Sequence, residues 1–345
     1  MREPEASDPS RARLGRERDF VVMDPATAVR RLIPVSKLGS WLTPSEDVYV
    51  VAHMGIANVD VTRWRLTVDG LVDRPLVFDY GQLTRLPARE ITAVIECFGN
   101  PIEPDVPTRR VGNVVWRGVP LTEILTIAGV QPNAQHVWLE GLDSGSFANV
   151  YSESYVKDLP LERALEPDVL LAWEMNGEPL TAEHGFPVRA FVPGYFGTNS
   201  VKWLSHVHLA ETRPDSLYTT RLYNRRTVVG EQVVLEPVRD LDVHSVMVSP
   251  PDGATLSVGS HVITGWAWGA WPVERVDVST DGGESWSAAR LAERGPGHTW
   301  QPFSFDWAPA SPGAYELRCR AADSQGRVQP STGRNRVHTV AVTVR

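Results

Sequence analysis

Cys97 is the residue whose type and setting most invite chemistry in this chain. It is one of two cysteines among 345 residues, and it sits in the segment I-T-A-V-I-E-C-F-G-N, Ile91 to Asn100. Ile91, Ala93, Ile95 and Cys97 alternate with Thr92, Val94 and Glu96, the period of two of a strand with one buried face. The strand is predicted to deliver Cys97 inward. Phe98-Gly99-Asn100-Pro101 then stops it with turn formers that let the backbone approach something closely. A cysteine in such a place can be a small buried hydrophobe or a reactive thiol. No C-x-x-C partner and no adjacent histidine accompany it, which argues against a redox or catalytic nucleophile.

The elements that must position Cys97 read as a mixed set. Strands are predicted at Val48 to Val51 and at Arg63 to Val68, the second closed by Asp69-Gly70. Further strands fit Val137 to Glu140, Val188 to Val192 and Val201 to Leu209. Short helices are predicted over Tyr80 to Leu86 and Leu121 to Ala128, the latter stopped by Gly129. No regular βαβ repeat links them, so the class is α+β and not a doubly wound sheet.

Residues 1 to 19 mix charges with few apolar side chains and read as a disordered tail. Residues 20 to 212 would form the α+β domain, and 213 to 238, polar and irregular, an inter-domain connection. From 239 to 345 strands and turns recur every 8 to 12 residues with no helical period, as in a β-sandwich. Val276 and Val278 lead into the hairpin signal Asp281-Gly282-Gly283. Phe303, Phe305 and Trp307 alternate, as do Tyr315, Leu317, Cys319 and Ala321, which makes Cys319 a core residue. The last strand is expected over Thr339 to Val344.

Composition narrows the function. The net charge of -8 argues against a general nucleic-acid binder, which needs a basic surface to displace counterions from phosphates. The two cysteines fall in different predicted domains, so no structural disulfide is expected. There is no apolar run of membrane-spanning length and no visible signal peptide or twin-arginine signal, so the expected location is cytoplasmic, with no membrane span.

Several motifs together give these residues an identity. E-C-F-G-N, W-R-G-V-P-L at Trp116 to Leu121, G-L-D-S at Gly141 to Ser144, H-G-F-P-V-R at His184 to Arg189 and S-V-K-W-L at Ser200 to Leu204 resemble the sulfite oxidase family of molybdenum enzymes. The resemblance runs from about Ser45 to the C-terminus. It implies an α+β molybdopterin domain followed by an immunoglobulin-like β-sandwich that makes a homodimer; Trp271 to Trp286 resembles that dimerisation domain. It also implies that Cys97 supplies the thiolate ligand of the molybdenum, a soft donor that the metal's charge keeps deprotonated.

The anionic, phosphate-bearing pterin needs guanidinium, ammonium and imidazole partners. Arg189, His184 and Lys202 match the family's cofactor-contacting positions, and Thr198, Asn199 and Ser200 its cofactor loop. His53, in V-V-A-H-M, falls where the family's R-x-H element supplies a histidine, and Asp143 matches another cofactor-side position. Tyr223 is the candidate active-site tyrosine, with Tyr218 as the competing one.

Two departures bear on the substrate. Val51 stands where the R-x-H arginine would face sulfite, and the arginine that often follows C-x-G-N is replaced within Pro101-Ile102-Glu103. Both changes remove a bidentate contact to an oxyanion, and Arg109 and Arg110 are the candidates to restore one. The resemblance implies oxygen-atom transfer to or from a small oxyanion such as sulfite. The rival readings are a less anionic substrate, a reductase, or a non-catalytic binding protein with an immunoglobulin-like domain. With no C-x-x-C-H haem motif and no flavin domain, electrons are expected to pass to or from a separate partner.

Overall fold

The computed structural model describes residues 19–101, 106–230 and 232–345. The tail expected over residues 1 to 19 therefore lies, but for Asp19, outside the described residues, as do Ile102 and Glu103 of the loop after Cys97. Two five-stranded sheets with short helices make the first domain and a sandwich of two sheets makes the second, the α+β and immunoglobulin-like pair expected from sequence.

Near the start of the first domain, after a strand Val21–Met23 that pairs with Ala57–Val59, two short strands pair, β1 (Val29–Arg31) and β2 (Val50–Ala52), and place Arg30 opposite Val51. Strands β3 (Leu66–Gly70) and β4 (Leu76–Phe78) follow, then α1 (Tyr80–Thr84), begun by a capping box between Asp79 and Gln82. Next come β5 (Arg89–Glu96), β6 (Val111–Pro120) and α2 (Leu121–Ala128), which ends at Gly129 as its sequence predicts. Strands β7 (His136–Gly141) and β8 (Val156–Pro160), helix α3 (Leu161–Ala164), and strands β9 (Leu170–Met175), β10 (Arg189–Phe191) and β11 (Leu204–Ala210) complete it.

One sheet runs β5, β6, β9, with β10 and the two-residue strand Glu178–Pro179 both pairing along the outer edge of β9. The other has the order β8, β7, β11, β3, β4, and only the β3–β11 pair is parallel. Leu66, Val68, Val137, Leu139, Val207 and Leu209 from this second sheet bury with Leu121, Ile124 and Leu125 of α2 in one core. That burial, not helix propensity, holds so short a helix in place.

The segment 213 to 238 departs from the irregular connection expected of it. It holds a π-helical turn, Leu217–Arg221, and a hairpin of β12 (Asn224–Val229) and β13 (Gln232–Pro237). Val228, Val233 and Leu235 are exposed on it. With neither face buried, the hairpin has no need of polar-apolar alternation, and so leaves none in the sequence.

In the sandwich, β14 (His244–Ser249), β15 (His261–Trp268) and β17 (Gln301–Trp307) face β16 (Val273–Ser279), β18 (Gly313–Asp323) and β19 (His338–Val344). Val276, Val278, Phe303, Leu317 and Val340 fill its core, and Cys319 lies among them, fully buried as expected. Burial pushes its thiol up to about 12.

Strand β5 corrects the expectation of one buried face. From Ala93 to Glu96 every residue is buried, because the sandwich covers the side that would otherwise meet solvent. Val94, Ile95, Val246, Trp268 and Trp300 belong to one core shared by the two domains.

Candidate active site

The ends of these elements converge on a cleft with about 700 Å³ of free space, part of it open to solvent. The end of β5 brings Cys97, one residue beyond the strand; its amide donates to the Arg110 carbonyl at 2.9 Å, and its carbonyl accepts the Asn100 amide at 2.9 Å. Strand β2 supplies Val51 and, just past its end, His53. The turn after β7 supplies Asp143. A 3-10 turn, Ala182–His184, supplies His184, β10 begins with Arg189, and a second 3-10 turn, Gly197–Asn199, opens the run to Lys202.

Two glycines allow this convergence. Gly185 has φ +105°, and a Cβ there would lie 3.0 Å from the Lys202 Cβ and 3.2 Å from that of Arg189. A Cβ on Gly141 would lie 2.6 Å from Asp143 Oδ1 and 2.7 Å from the Lys202 carbonyl. Side chains at these positions would push the cationic groups out of register.

The cleft is rich in buried basic groups. Arg189 is fastened by donating to the carbonyls of His184 at 3.0 Å and Ser200 at 3.1 Å, and its guanidinium lies 5.0 Å from the centre of the Trp116 ring. Its Nε, also buried, has no protein acceptor. Lys202 Nζ donates to the Glu183 carbonyl at 2.9 Å. Among the described residues no carboxylate forms a salt bridge with either cation; Asp143 and Glu183 act on Lys202 only from farther off.

Desolvation therefore dominates their titration. Burial, with the charge of Arg189, brings Lys202 down to about 7, and burial brings Arg189 to about 10. His184 falls to about 3 and His53 to about 4, each by burial first and neighbouring cations second. Four basic groups held together, with Asp143 and Glu183 acting only from farther off, make a site suited to an anionic ligand.

Aromatic rings gather around His53 in the same cleft. His53 stacks on Phe147 at 4.3 Å and hydrogen-bonds through Nε2 to the Tyr223 hydroxyl. Tyr155 donates to the Thr198 carbonyl at 2.9 Å and hydrogen-bonds its Oγ1 at 2.6 Å. Burial pushes the Tyr223 and Tyr155 hydroxyls up, so both stay protonated. Burial also raises the Cys97 thiol, against the Gly99 amide and the Arg110 guanidinium, which pull it down.

Nine sequence candidates line this one cleft: His53, Cys97, Asp143, His184, Arg189, Thr198, Ser200, Lys202 and Tyr223. Asn199 does not. Its amide turns away and donates to the carbonyls of Phe196 at 3.0 Å and Val238 at 3.1 Å, tying the loop to the start of the second domain. Between the two tyrosines, Tyr223 faces the cleft, whereas Tyr218 packs behind it, its ring 4.2 Å from that of Tyr155. Of the two candidate arginines, Arg110 lies against the Cys97 thiol. Arg109 is buried elsewhere, its guanidinium on the carbonyls of Val106 and Thr108 and its charge felt at Cys319 and His338 of the sandwich.

Several neighbours escape sequence reasoning. Arg30, opposite Val51, acts on both His53 and Tyr223. The second domain also grips the cysteine loop. Buried Glu96 accepts from Trp268 Nε1 at 2.7 Å and from Asn100 Nδ2 at 3.1 Å, and Arg334 donates to the Phe98 carbonyl at 3.0 Å. Only strand pairing and domain docking bring these groups together; a charged residue at 96 in an apolar run was the one available signal.

The fold and the cationic, thiol-bearing cleft define a molybdopterin-binding protein with an appended dimerisation domain. Comparison with known families agrees: the oxidoreductase molybdopterin binding domain matches residues 53–218 and the Mo-co oxidoreductase dimerisation domain residues 236–344. The chain is 33% identical to chicken (Gallus gallus) sulfite oxidase over 96% of its length and 76% of the relative's. It is 32% identical to mitochondrial sulfite oxidase of Rattus norvegicus, spanning 64% of that protein. Its structure matches the sulfane dehydrogenase SoxCD of Paracoccus pantotrophus with a TM-score of 0.79 and 27% identity, covering 99% of this chain and 93% of that one. The chain belongs to the sulfite oxidase family.

The family's cofactor is Mo-molybdopterin, and the cleft fits it. The buried Arg189 Nε with no protein acceptor, the Lys202 ammonium with one carbonyl partner and the two histidines match an anionic pterin, and Cys97 offers the thiolate donor a molybdenum accepts.

Proposed function

We propose that the chain is a molybdopterin-dependent oxidoreductase that transfers an oxygen atom to or from a small oxyanion such as sulfite, with electrons passing to a separate partner and two chains pairing through their sandwich domains. The observation that carries this reading is the concentration of Arg189, Lys202, His184 and His53 in one cleft with the Cys97 thiol. Bound there, the molybdenum cofactor supplies the two-electron oxygen chemistry. The protein's part is to bind, orient and exclude water.

Arg189, Lys202 and His184 would hold the anionic pterin, and Cys97 the metal. At the mouth, Tyr223 keeps its proton and is oriented by His53, so it can donate a hydrogen bond to a substrate oxygen. Tyr155 and Phe147 limit water around that donor. Arg30 and Arg110 supply guanidinium charge near the positions where Val51 and the loop after Cys97 lack it, which supports an oxyanion.

Steady-state turnover of the cofactor-loaded chain with sulfite and an artificial acceptor tests this. Saturation at micromolar sulfite is expected. Absence of sulfite turnover, with activity on a less charged sulfur substrate, would favour the reading that the apolar Val51 in the cleft supports.

A further inference from the structure

Beyond the cleft, the second sheet gathers a separate set of donor groups. Strand β11 carries His206 and His208 on one face. Parallel pairing sets Asp69 of β3 beside His208, and antiparallel pairing sets Glu140 of β7 beside His206. Asp69 Oδ1 lies 2.7 Å from His206 Nε2 and 2.6 Å from His208 Nδ1. One ligand atom from each of Asp69, His206 and His208 falls within 4.8 Å of the others.

The fourth group settles what this arrangement wants. Glu140 Oε2 lies 3.2 Å from His206 Nδ1, on the side of the ring away from Asp69. An imidazole that gives its one N–H to Glu140 turns the lone pair of Nε2 on a carboxylate oxygen. Lone pairs facing each other at hydrogen-bond distance repel, so a positive charge belongs between them. Either His206, almost wholly buried, carries a second proton, or a cation occupies the point. A carboxylate behind a metal-binding histidine is the usual device that fixes its tautomer and raises its basicity.

We infer that Asp69, His206 and His208 form a binding site for a divalent transition-metal ion, with Glu140 as the outer partner of His206. Two imidazole nitrogens and one carboxylate oxygen suit zinc and its congeners cobalt and nickel, and not the oxygen-seeking magnesium or calcium. In a tetrahedral zinc site donor atoms stand about 3.3 Å apart. The Asp69 carboxylate must therefore swing back from the two rings, and with a side chain 31% exposed it has room to do so. That opening leaves the remaining position to water.

None of the four residues lines the cofactor cleft. Yet β7 runs on to Asp143 and β11 starts just after Lys202, so an ion here would tie together strands that end at the cleft.

Zinc titration of the tag-free, cofactor-loaded chain after chelator treatment tests the site, with calorimetry for stoichiometry and cobalt absorption for geometry. One equivalent bound, tetrahedral cobalt bands and a raised Tm are expected. His208→Ala and Asp69→Asn should each abolish that equivalent while molybdenum and pterin content stay the same, and Glu140→Gln should weaken it by about 10–100-fold. Wild-type chain that binds no zinc would overturn the site in favour of an imidazolium at His206. Unchanged binding in both His208→Ala and Asp69→Asn would overturn it too, since the ion would then lie elsewhere.

Discussion

Two buried charged regions of the first domain handle their charge in opposite ways. Around Asp158 of β8 the books are closed internally: Arg213 forks onto the carboxylate at 3.0 to 3.1 Å, His136 approaches at 3.1 Å and Arg239 at 3.5 Å. Burial would raise this acid, but the hydrogen bonds and charge of Arg213 outweigh it and hold it low. In the cofactor cleft, buried Arg189 and half-buried Lys202 lean only on carbonyls and on the faces of Trp116 and Trp203, with no salt-bridging carboxylate among the described residues. A buried charge paired within the fold supports structure; one left without its counter-charge awaits a ligand.

The two cysteines repeat the contrast and predict the largest effect. Cys97→Ser should reduce turnover to the detection limit while leaving Tm nearly unchanged, because a half-buried thiol at a loop is replaced by a hydroxyl of similar size. Cys319→Ser should do the reverse. A hydroxyl in the sandwich core costs about 1–3 kcal/mol, softened by the Ser245 hydroxyl 3.5 Å away, and turnover per bound cofactor should hold. Activity surviving in Cys97→Ser would mean that the centre lies elsewhere.

Next in size is the response to removing a charge. Asp158→Asn strips the anion from two guanidinium groups and should cost about 3 kcal/mol of stability, read by denaturant unfolding of the cofactor-free chain. Lys202→Met should raise the Tm of the cofactor-free chain, because a desolvated cation disappears, yet lower pterin retention. The sign with pH follows from Lys202 titrating at about 7 in the fold and at about 10.4 unfolded. Between those values the unfolded chain binds more protons, so the Lys202 penalty is full at pH 7 and below and fades as pH rises. The Tm advantage of Lys202→Met should therefore shrink from pH 7 to pH 9. A constant advantage would show that Lys202 is not held uncompensated.

How much of this was legible in the sequence follows from what covers each residue. Strand β18 of the sandwich could be read because it has one wet and one dry face, as Leu317 and Cys319 alternate with Glu316 and Arg318. Strand β5 was misread where docking dries both faces, and β12–β13 where nothing dries either. In the cleft, motif residues at fixed spacing were found: Cys97, His184, Arg189 and Lys202. The family resemblance puts Asn199 in the cofactor loop with Thr198 and Ser200, but successive residues of a tight turn point different ways, and its amide goes to the backbone of Phe196 and Val238. Arg30 and Tyr155 could not be found, because only strand pairing and packing bring them to His53 and Thr198.

The smallest expected effect separates two tyrosines a few residues apart. Tyr223 lines the cleft and its hydroxyl is held by His53; its backbone has φ +57°, a conformation a tyrosine rarely adopts. Tyr218 is wholly buried and its hydroxyl has no hydrogen-bond partner. Tyr223→Phe should lower turnover by roughly tenfold, the worth of one good hydrogen bond in the transition state, with little change in Tm. Tyr218→Phe removes an unpaired buried hydroxyl and should leave turnover unchanged and stability equal or slightly higher. If Tyr218→Phe loses turnover and Tyr223→Phe does not, the roles are exchanged. The strained backbone at Tyr223 would then serve only to turn the chain into β12.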